Sequence, residues 1–296
     1  MTSAGSQVFS AEESLSPASR EHYEKHGWAL IRGFFDYEDD ILPIHSAVNR
    51  LIGLKLKQLA LESKEARGAR EIRKQDFLQI ASADRERAGE IYRACRHLEP
   101  LHQLVVKEKC LDLVRHFMKT DFVNVLPYTA VRIDIPGEEA YLFKWHQDYP
   151  YTQGSSDGVV IWVPLFDVMQ GAGNVELIPG SHMEGIKRVE LIDPENKMRN
   201  GAHSICIEDC DSYDHQSRLA ADVYVGDALV FHTLTIHRST VSQANDMRWT
   251  TQLRYGNFLD EDAVSRGWPG GMIEGRGFEV DHPEYIVPSV EYSGRH

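Results

Sequence analysis

Cysteine is scarce in this chain, long apolar runs are missing and basic side chains are outnumbered, and each shortage excludes a class of protein. Four cysteines, Cys95, Cys110, Cys206 and Cys210, are too few and too scattered over 296 residues for a disulfide framework. A reducing, cytoplasmic setting is expected. Cys206 and Cys210 have the spacing of half a zinc site, but no second cysteine pair accompanies them, and they read as ordinary thiols. No apolar segment approaches the roughly 20 residues that span a bilayer. The polar, acidic start, MTSAGSQVFSAEESLS, lacks the basic and apolar regions of a secretory signal. No membrane partner is expected. With 45 acidic and 32 basic side chains the net charge is −13, which argues against nucleic acid. An anionic small molecule in a local basic pocket stays possible. Internal repeats and low-complexity tracts are absent too. Oligomeric state is not legible.

What is present suffices for a sizeable core: 42% of residues are hydrophobic and 26% charged. Residues 1–14 read as a disordered tail, and 15–296 as one domain in three parts. To about residue 120 the pattern is helical. Ser16-Pro17 opens a helix that stops at Gly27. Trp28–Ile31 reads as a buried strand, and Asp36 to about Leu61 as a helix with apolar residues at helical spacing. Glu62–Lys74 reads as a solvated connection. Two further helices are expected over about 84–97 and 99–118.

From about 121 to 258 the period changes. Short runs rich in β-branched and aromatic residues, punctuated by Gly, Pro and Asn, occupy Phe122–Asp134, Tyr141–Asp148, Gly158–Asp167, Asn174–Ile178, Ala202–Ile207, Asp222–Tyr224, Ala228–His232 and Met247–Tyr255. No helical pattern separates most of them, so the sheets are antiparallel. The expected fold is mainly β with flanking helices. It is a double-stranded β-helix (a cupin-like jelly roll) with the N-terminal helices packed on the larger sheet. Residues 259–296 read as an irregular, surface-hugging segment.

The chemistry centres on Phe143–Tyr151, FKWHQDYPY. On an extended strand His146 and Asp148 project to one face, because side chains alternate. That offers an imidazole and a carboxylate to one metal ion. A second such pair, His282-Pro283-Glu284, stands in the tail, so spacing alone decides little. His237, after the apolar stretch Ala228–His232, is the natural third ligand. Its rival His232 ends that stretch and reads more readily as a core histidine. A His–Asp–His face leaves open positions for a 2-oxo acid and dioxygen. The distal carboxylate of the oxo acid needs a planar cationic fork. Arg248 lies eleven residues after His237, with Thr250, Gln252 and Arg254 on the same strand face, and Ser239 lies two after His237. Arg254 is the rival for that carboxylate.

The ordered set resembles the phytanoyl-coenzyme A dioxygenase family of iron(II)- and 2-oxoglutarate-dependent oxygenases. The residues that carry the likeness are Trp145-His146-Gln147-Asp148, then Gly173-Asn174 with Ile178-Pro179-Gly180-Ser181-His182. Gly226-Asp227, His237-x-Ser239 and Arg248 follow, and Tyr23–Ile31 resembles the family's opening. The resemblance assigns His146, Asp148 and His237 to Fe(II), and Arg248 and Ser239 to 2-oxoglutarate. It places Trp162 beside the cosubstrate. It matches Arg73 to a lysine that approaches 2-oxoglutarate, and Gln147 is grouped with these residues. The implied activity is hydroxylation of an aliphatic C–H bond of a small molecule with O2, releasing succinate and CO2. Related halogenases carry Gly or Ala where Asp148 stands, so oxygen transfer is expected over halogen transfer. Desaturation, epimerisation or ring closure of a natural-product scaffold is the alternative; a non-catalytic cupin-like binding protein is a further one. The substrate is not legible. Arg132, Tyr149, Tyr151 and Trp145 flank the ligands and are candidates to line its pocket, although Arg132 could simply pair with Asp134.

Overall fold

Gly27 shows how the first elements are set. In this computed structural model, which describes residues 8–66, 68–127, 129–138, 142–191, 205–242 and 247–288, Gly27 ends helix α1 (Pro17–His26) at φ +73° and donates to Tyr23 O. A Cβ there would press on the His182 ring and lie 2.8 Å from Thr235 Oγ1, so only glycine fits. At the other end the Ser16 hydroxyl accepts from Ser19 N, with Pro17 in the first turn.

Before α1 lies β1 (Val8–Ser10), and after it β2 (Trp28–Arg32). A π-turn over Tyr37–Ile41 leads into α2 (Leu42–Gln58). Then come α3 (Lys74–Ala83), α4 (Arg85–Cys95), α5 (Glu99–Val105) and α6 (Glu108–Met118). The β region holds β3 (Val123–Val125), β4 (Ala130–Asp134), the short α7 (Tyr149–Thr152), β5 (Gly158–Pro164) and β6 (Val175–Leu177). It continues with β7 (Val189–Leu191), β8 (Ile205–Ile207), β9 (Leu219–Ala220), β10 (Ala228–His232), β11 (His237–Ser239) and β12 (Arg248–Asn257). The C-terminal part carries α8 (Glu261–Arg266) and α9 (Phe278–Asp281), with single 3-10 turns beside them.

The larger sheet runs β1-β2-β10-β5-β12, with β4 and β3 end to end on the far edge of β12. The smaller is β11-β6-β9, and β7 and β8 form a separate hairpin. Among the described residues every ladder apart from β1 with β2 is antiparallel. This is the jelly roll expected. The two faces of β12 divide the protein. Trp249, Leu253 and Tyr255 join the main core with the helices; Phe77 of α3 meets the Trp249 ring edge-on at 4.9 Å. Arg248, Thr250, Gln252 and Arg254 face the other way, where Val160, Trp162, Leu177, Leu229 and Phe231 close the space between the sheets. Among the described residues no helix is long and apolar enough to cross a membrane.

Several sequence expectations need correction. Residues 8–14 are not a loose tail. Val8–Ser10 adds a parallel edge strand to β2, because Phe9 alternates inward and is buried. Residues 1–7 lie outside the described set. Part of the stretch read as a solvated connection starts α3, whose Phe77 and Ile80 are buried. The helix expected over 99–118 is two, since four residues lie between the buried Val105 and Cys110 and break the apolar stripe. Of the strand expected over Tyr141–Asp148, the described residues 142–148 form no regular strand: among them His146 alone pairs, in an antiparallel bridge with His237, and Asp148 already has helical dihedrals. Tyr141 and 202–204 lie outside the described residues.

Candidate metal centre

His146 and His237 meet where the incoming chain crosses the start of β11. Their backbones exchange two hydrogen bonds, each 2.9 Å. The rings therefore lie side by side, with centroids 4.1 Å apart and planes tilted by 47°. Asp148 is held two residues on, its N–H donating to Thr233 O at 3.0 Å. Both Nε2 atoms lie 3.7 Å from Asp148 Oδ1. All three ligand atoms fall within 4.8 Å of one another, and all three residues are buried.

This donor set fits a transition-metal ion. The Nδ1 atoms are engaged by backbone carbonyls, His146 with Lys144 O at 2.7 Å and His237 with Thr235 O at 2.8 Å. That holds the proton on Nδ1 and turns the Nε2 lone pairs to the shared centre. The spacings are ones that an ion with bonds of roughly 2.1 Å can draw together. Burial pushes His146 down to about 3, with His237 adding to it, and burial lowers His237 as well. Both imidazoles are neutral at pH 7, as ligands must be. Burial raises the Asp148 carboxyl, but Arg254, then His237 and His146, outweigh it and hold it at about 2. Phe143, Tyr151 and Phe231 wall the imidazoles, with ring centroids 4.9, 5.8 and 4.7 Å away.

Arg254, the rival for the oxo-acid carboxylate, has a partner that the sequence reading did not name. Its Nε donates to Asp148 Oδ2 at 2.7 Å, so it braces the carboxylate of the candidate site. Arg248 stands further along the same strand face. Its Nε and Nη2 reach Asp134 Oδ2 at 2.9 and 2.6 Å, and its Nη1 donates to Gly173 O. Arg132 does pair with Asp134, Nη2 to Oδ1 at 2.7 Å, and its guanidinium lies 4.7 Å over the Phe143 ring. Ser239 follows His237 by two in β11 and faces the same way. Trp162 sits on the inner face of β5, paired with Gln252 and Leu229. His232 is no ligand; it packs on His182 at 5.3 Å.

Four candidates are not where the sequence reading put them. Gln147 points away from the ligands. Its amide donates to Gly185 O and Leu234 O at 2.9 and 2.8 Å and accepts from Lys187 N at 2.9 Å, so it pins loops. Trp145 projects the same way, its Nε1 donating to Asp214 at 2.8 Å. Arg73 lies in the helical layer beyond the outer face of β12, paired with Asp76 at 2.5 Å and with Ser63. Tyr149 is fully buried under the C-terminal segment, its hydroxyl 2.8 Å from His282 Nε2. Tyr151 does stay beside His146, and its hydroxyl is taken by Ile205 O at 2.9 Å. Cys206 and Cys210 gather no further ligand among the described residues.

A jelly roll with a buried set of two neutral imidazoles and one carboxylate between its sheets defines the class of mononuclear non-haem iron oxygenases that use 2-oxoglutarate. Within that class the chain belongs to the phytanoyl-CoA dioxygenase (PhyH) family, whose model matches residues 23–249. The phytanoyl-CoA dioxygenase domain-containing protein 1 of Danio rerio is 32% identical over 105 residues. That match spans 35% of this chain and 35% of the relative's length. Among solved structures, EctD from S. alaskensis with 2-oxoglutarate and 5-hydroxyectoine has a TM-score of 0.51 at 14% identity, covering 83% of this chain and 78% of that one. AviO1 from Streptomyces viridochromogenes has a TM-score of 0.51 at 17% identity, covering 82% and 95%. These structural likenesses are of fold.

Proposed function

We propose that this protein hydroxylates an aliphatic C–H bond of a small molecule, consuming 2-oxoglutarate and O2 and releasing succinate and CO2. The observation that carries this is the turning of two Nε2 lone pairs and one carboxylate oxygen toward a single buried point. In this reading His146, Asp148 and His237 hold the iron. When bound, iron with 2-oxoglutarate and O2 supplies the oxidant for an unactivated C–H bond. The chain supplies the rest. Arg254 keeps Asp148 ionised and oriented. Phe143, Tyr151 and Phe231 exclude water around the imidazoles. Arg248 offers its fork to the far carboxylate of 2-oxoglutarate in exchange for Asp134, which keeps Arg132 as partner. Ser239 donates a hydroxyl to the same carboxylate. With a carboxylate at position 148, no ligand position is vacated for a halide, which favours oxygen transfer.

Two measurements test this. Anaerobic addition of Fe(II) and 2-oxoglutarate should produce a weak visible charge-transfer band; a metal-loaded protein without one would sink the cosubstrate reading. A small-molecule screen scored by succinate release should then yield a product heavier by one oxygen. Loss of two hydrogens instead would replace hydroxylation by desaturation or ring closure.

A further inference from the structure

The second His-x-acid pair, His282 and Glu284, lies outside the 23–249 stretch that the family model matches. It nevertheless ends beside the metal-binding loop. Glu284 Oε1 lies 3.1 Å from His282 Nδ1, and His282 Nε2 lies 2.8 Å from the Tyr149 hydroxyl. Tyr149 directly follows Asp148. With the Nδ1 proton directed at Glu284, Nε2 is an acceptor, and the phenol donates to it. Arg266 Nη2 donates to the same phenol oxygen at 2.7 Å. Both Tyr149 and His282 are buried, and Phe278 packs its ring against each, at 6.1 and 4.9 Å.

The grip extends along the loop that follows. Arg266 Nη1 reaches Gln153 O at 3.3 Å, and Gln153 Nε2 reaches Arg276 O at 3.2 Å. Asp260 takes Ser155 Oγ and Ser156 N, each at 2.8 Å. Gly271 approaches so closely that a Cβ would lie 2.9 Å from Thr152 O. The Asp148 backbone, by contrast, is anchored from the barrel side through Thr233 O. A short helix of four residues, α7, is thus clamped between the barrel and the C-terminal segment, with the metal-binding carboxylate at its head.

We propose that the C-terminal segment is a clasp that completes the metal centre, with His282 as its positioning residue acting through Tyr149 on Asp148. The inference rests on the metal-site reading above. Partners that orient a ligand are typically worth about 10- to 100-fold in metal affinity.

The test is Co(II) titration of the full chain, followed by visible absorption. Tyr149→Phe keeps the ring and removes the hydroxyl; His282→Leu removes the nearer acceptor and leaves Asp262 Oδ2, at 3.3 Å, as the remaining one; His282→Gln restores an acceptor at position 282. Tyr149→Phe and His282→Leu should weaken Co(II) binding about 10-fold or more and alter the shape of the Co(II) band. His282→Gln should recover much of both. General destabilisation would lower the melting temperature without changing the band of the metal-loaded fraction. Glu284→Gln, at an exposed position, is the variant least able to perturb folding and should show a smaller loss in the same direction. Wild-type affinity and band shape in His282→Gln, Glu284→Gln and whichever of the other two folds would overturn the clasp. If the unsubstituted protein takes up no Co(II), the metal-site reading fails instead.

Discussion

Arg254 and Asp148 lie 2.7 Å apart, Nε to Oδ2, although they are 106 positions apart in the chain. The ion pair is almost fully enclosed and sits behind the carboxylate of the metal site. One oxygen of Asp148 faces the two imidazoles and the other faces the guanidinium, so the carboxylate has a single orientation. Arg254→Ala is expected to cut Fe(II) or Co(II) affinity by about 10- to 100-fold. Arg254→Lys should recover only part, because a point charge cannot reproduce the planar donor. Equilibrium dialysis measures it.

Arg248 should behave differently. In the proposed function it serves the cosubstrate, and its loss leaves Asp134 still paired with Arg132. Arg248→Ala should raise the 2-oxoglutarate KM by about 10-fold or more, the worth of a charged hydrogen bond, with metal affinity little changed. The two arginines are separated by comparing KM for 2-oxoglutarate with metal binding in each variant. A KM effect confined to Arg254→Ala would reverse the assignment.

Replacing any one of His146, Asp148 and His237 by Ala should abolish 2-oxoglutarate consumption, as should chelation of the metal. Readdition of Fe(II) should restore turnover in the unsubstituted protein only. Succinate release is the readout. Substantial turnover by metal-free His237→Ala would refute the ligand set.

Stability should fall in mild acid. Burial pushes His45 down to about 4; it does the same to His22, where His26 and Lys25 add to it. An unfolded histidine titrates near 6.5, so as pH falls the unfolded chain takes up protons first. The contribution is complete above about pH 6.5 and is lost progressively down to about pH 4. His45, stacked on Phe166 at 5.6 Å, isolates one part of this. His45→Phe should give a shallower fall of unfolding free energy between pH 7 and 4.5, by at most about 3 kcal/mol, read from urea unfolding at each pH.

The outer face of β12 carries the packing. Trp249 is fully buried against Phe77. Trp249→Ala should cost about 3–5 kcal/mol in urea unfolding, the usual penalty for emptying an aromatic site. A loss below 1 kcal/mol would show that α3 does not depend on this contact.

Much of this was legible because it is periodic or local. Apolar spacing marks the helices, alternation marks the strands, and a two-residue interval places His146 and Asp148 on one side. The order of His237, Ser239 and Arg248 after them was enough to indicate the class of oxygenase. Where local rules failed, a distant partner had intervened. Where His146 and Asp148 turn to the metal centre, Gln147 turns away, and Gly185, Lys187 and Leu234 claim its amide. Arg73 has the right charge, but α3 sets it on the helical side of the sheet, with Asp76. Tyr149 flanks a ligand in sequence, and a segment more than a hundred residues later buries it.

The amino-acid order alone therefore determined the donor types, their spacing and the jelly-roll pattern, since these follow from backbone geometry within a few residues. The tertiary structure decided which charged groups share a buried space. It chose Arg254 over water for Asp148, Asp134 for Arg248, and His282 for Tyr149. Such pairings depend on strand order and on which face of β12 meets which layer, and no local interval in the chain encodes either.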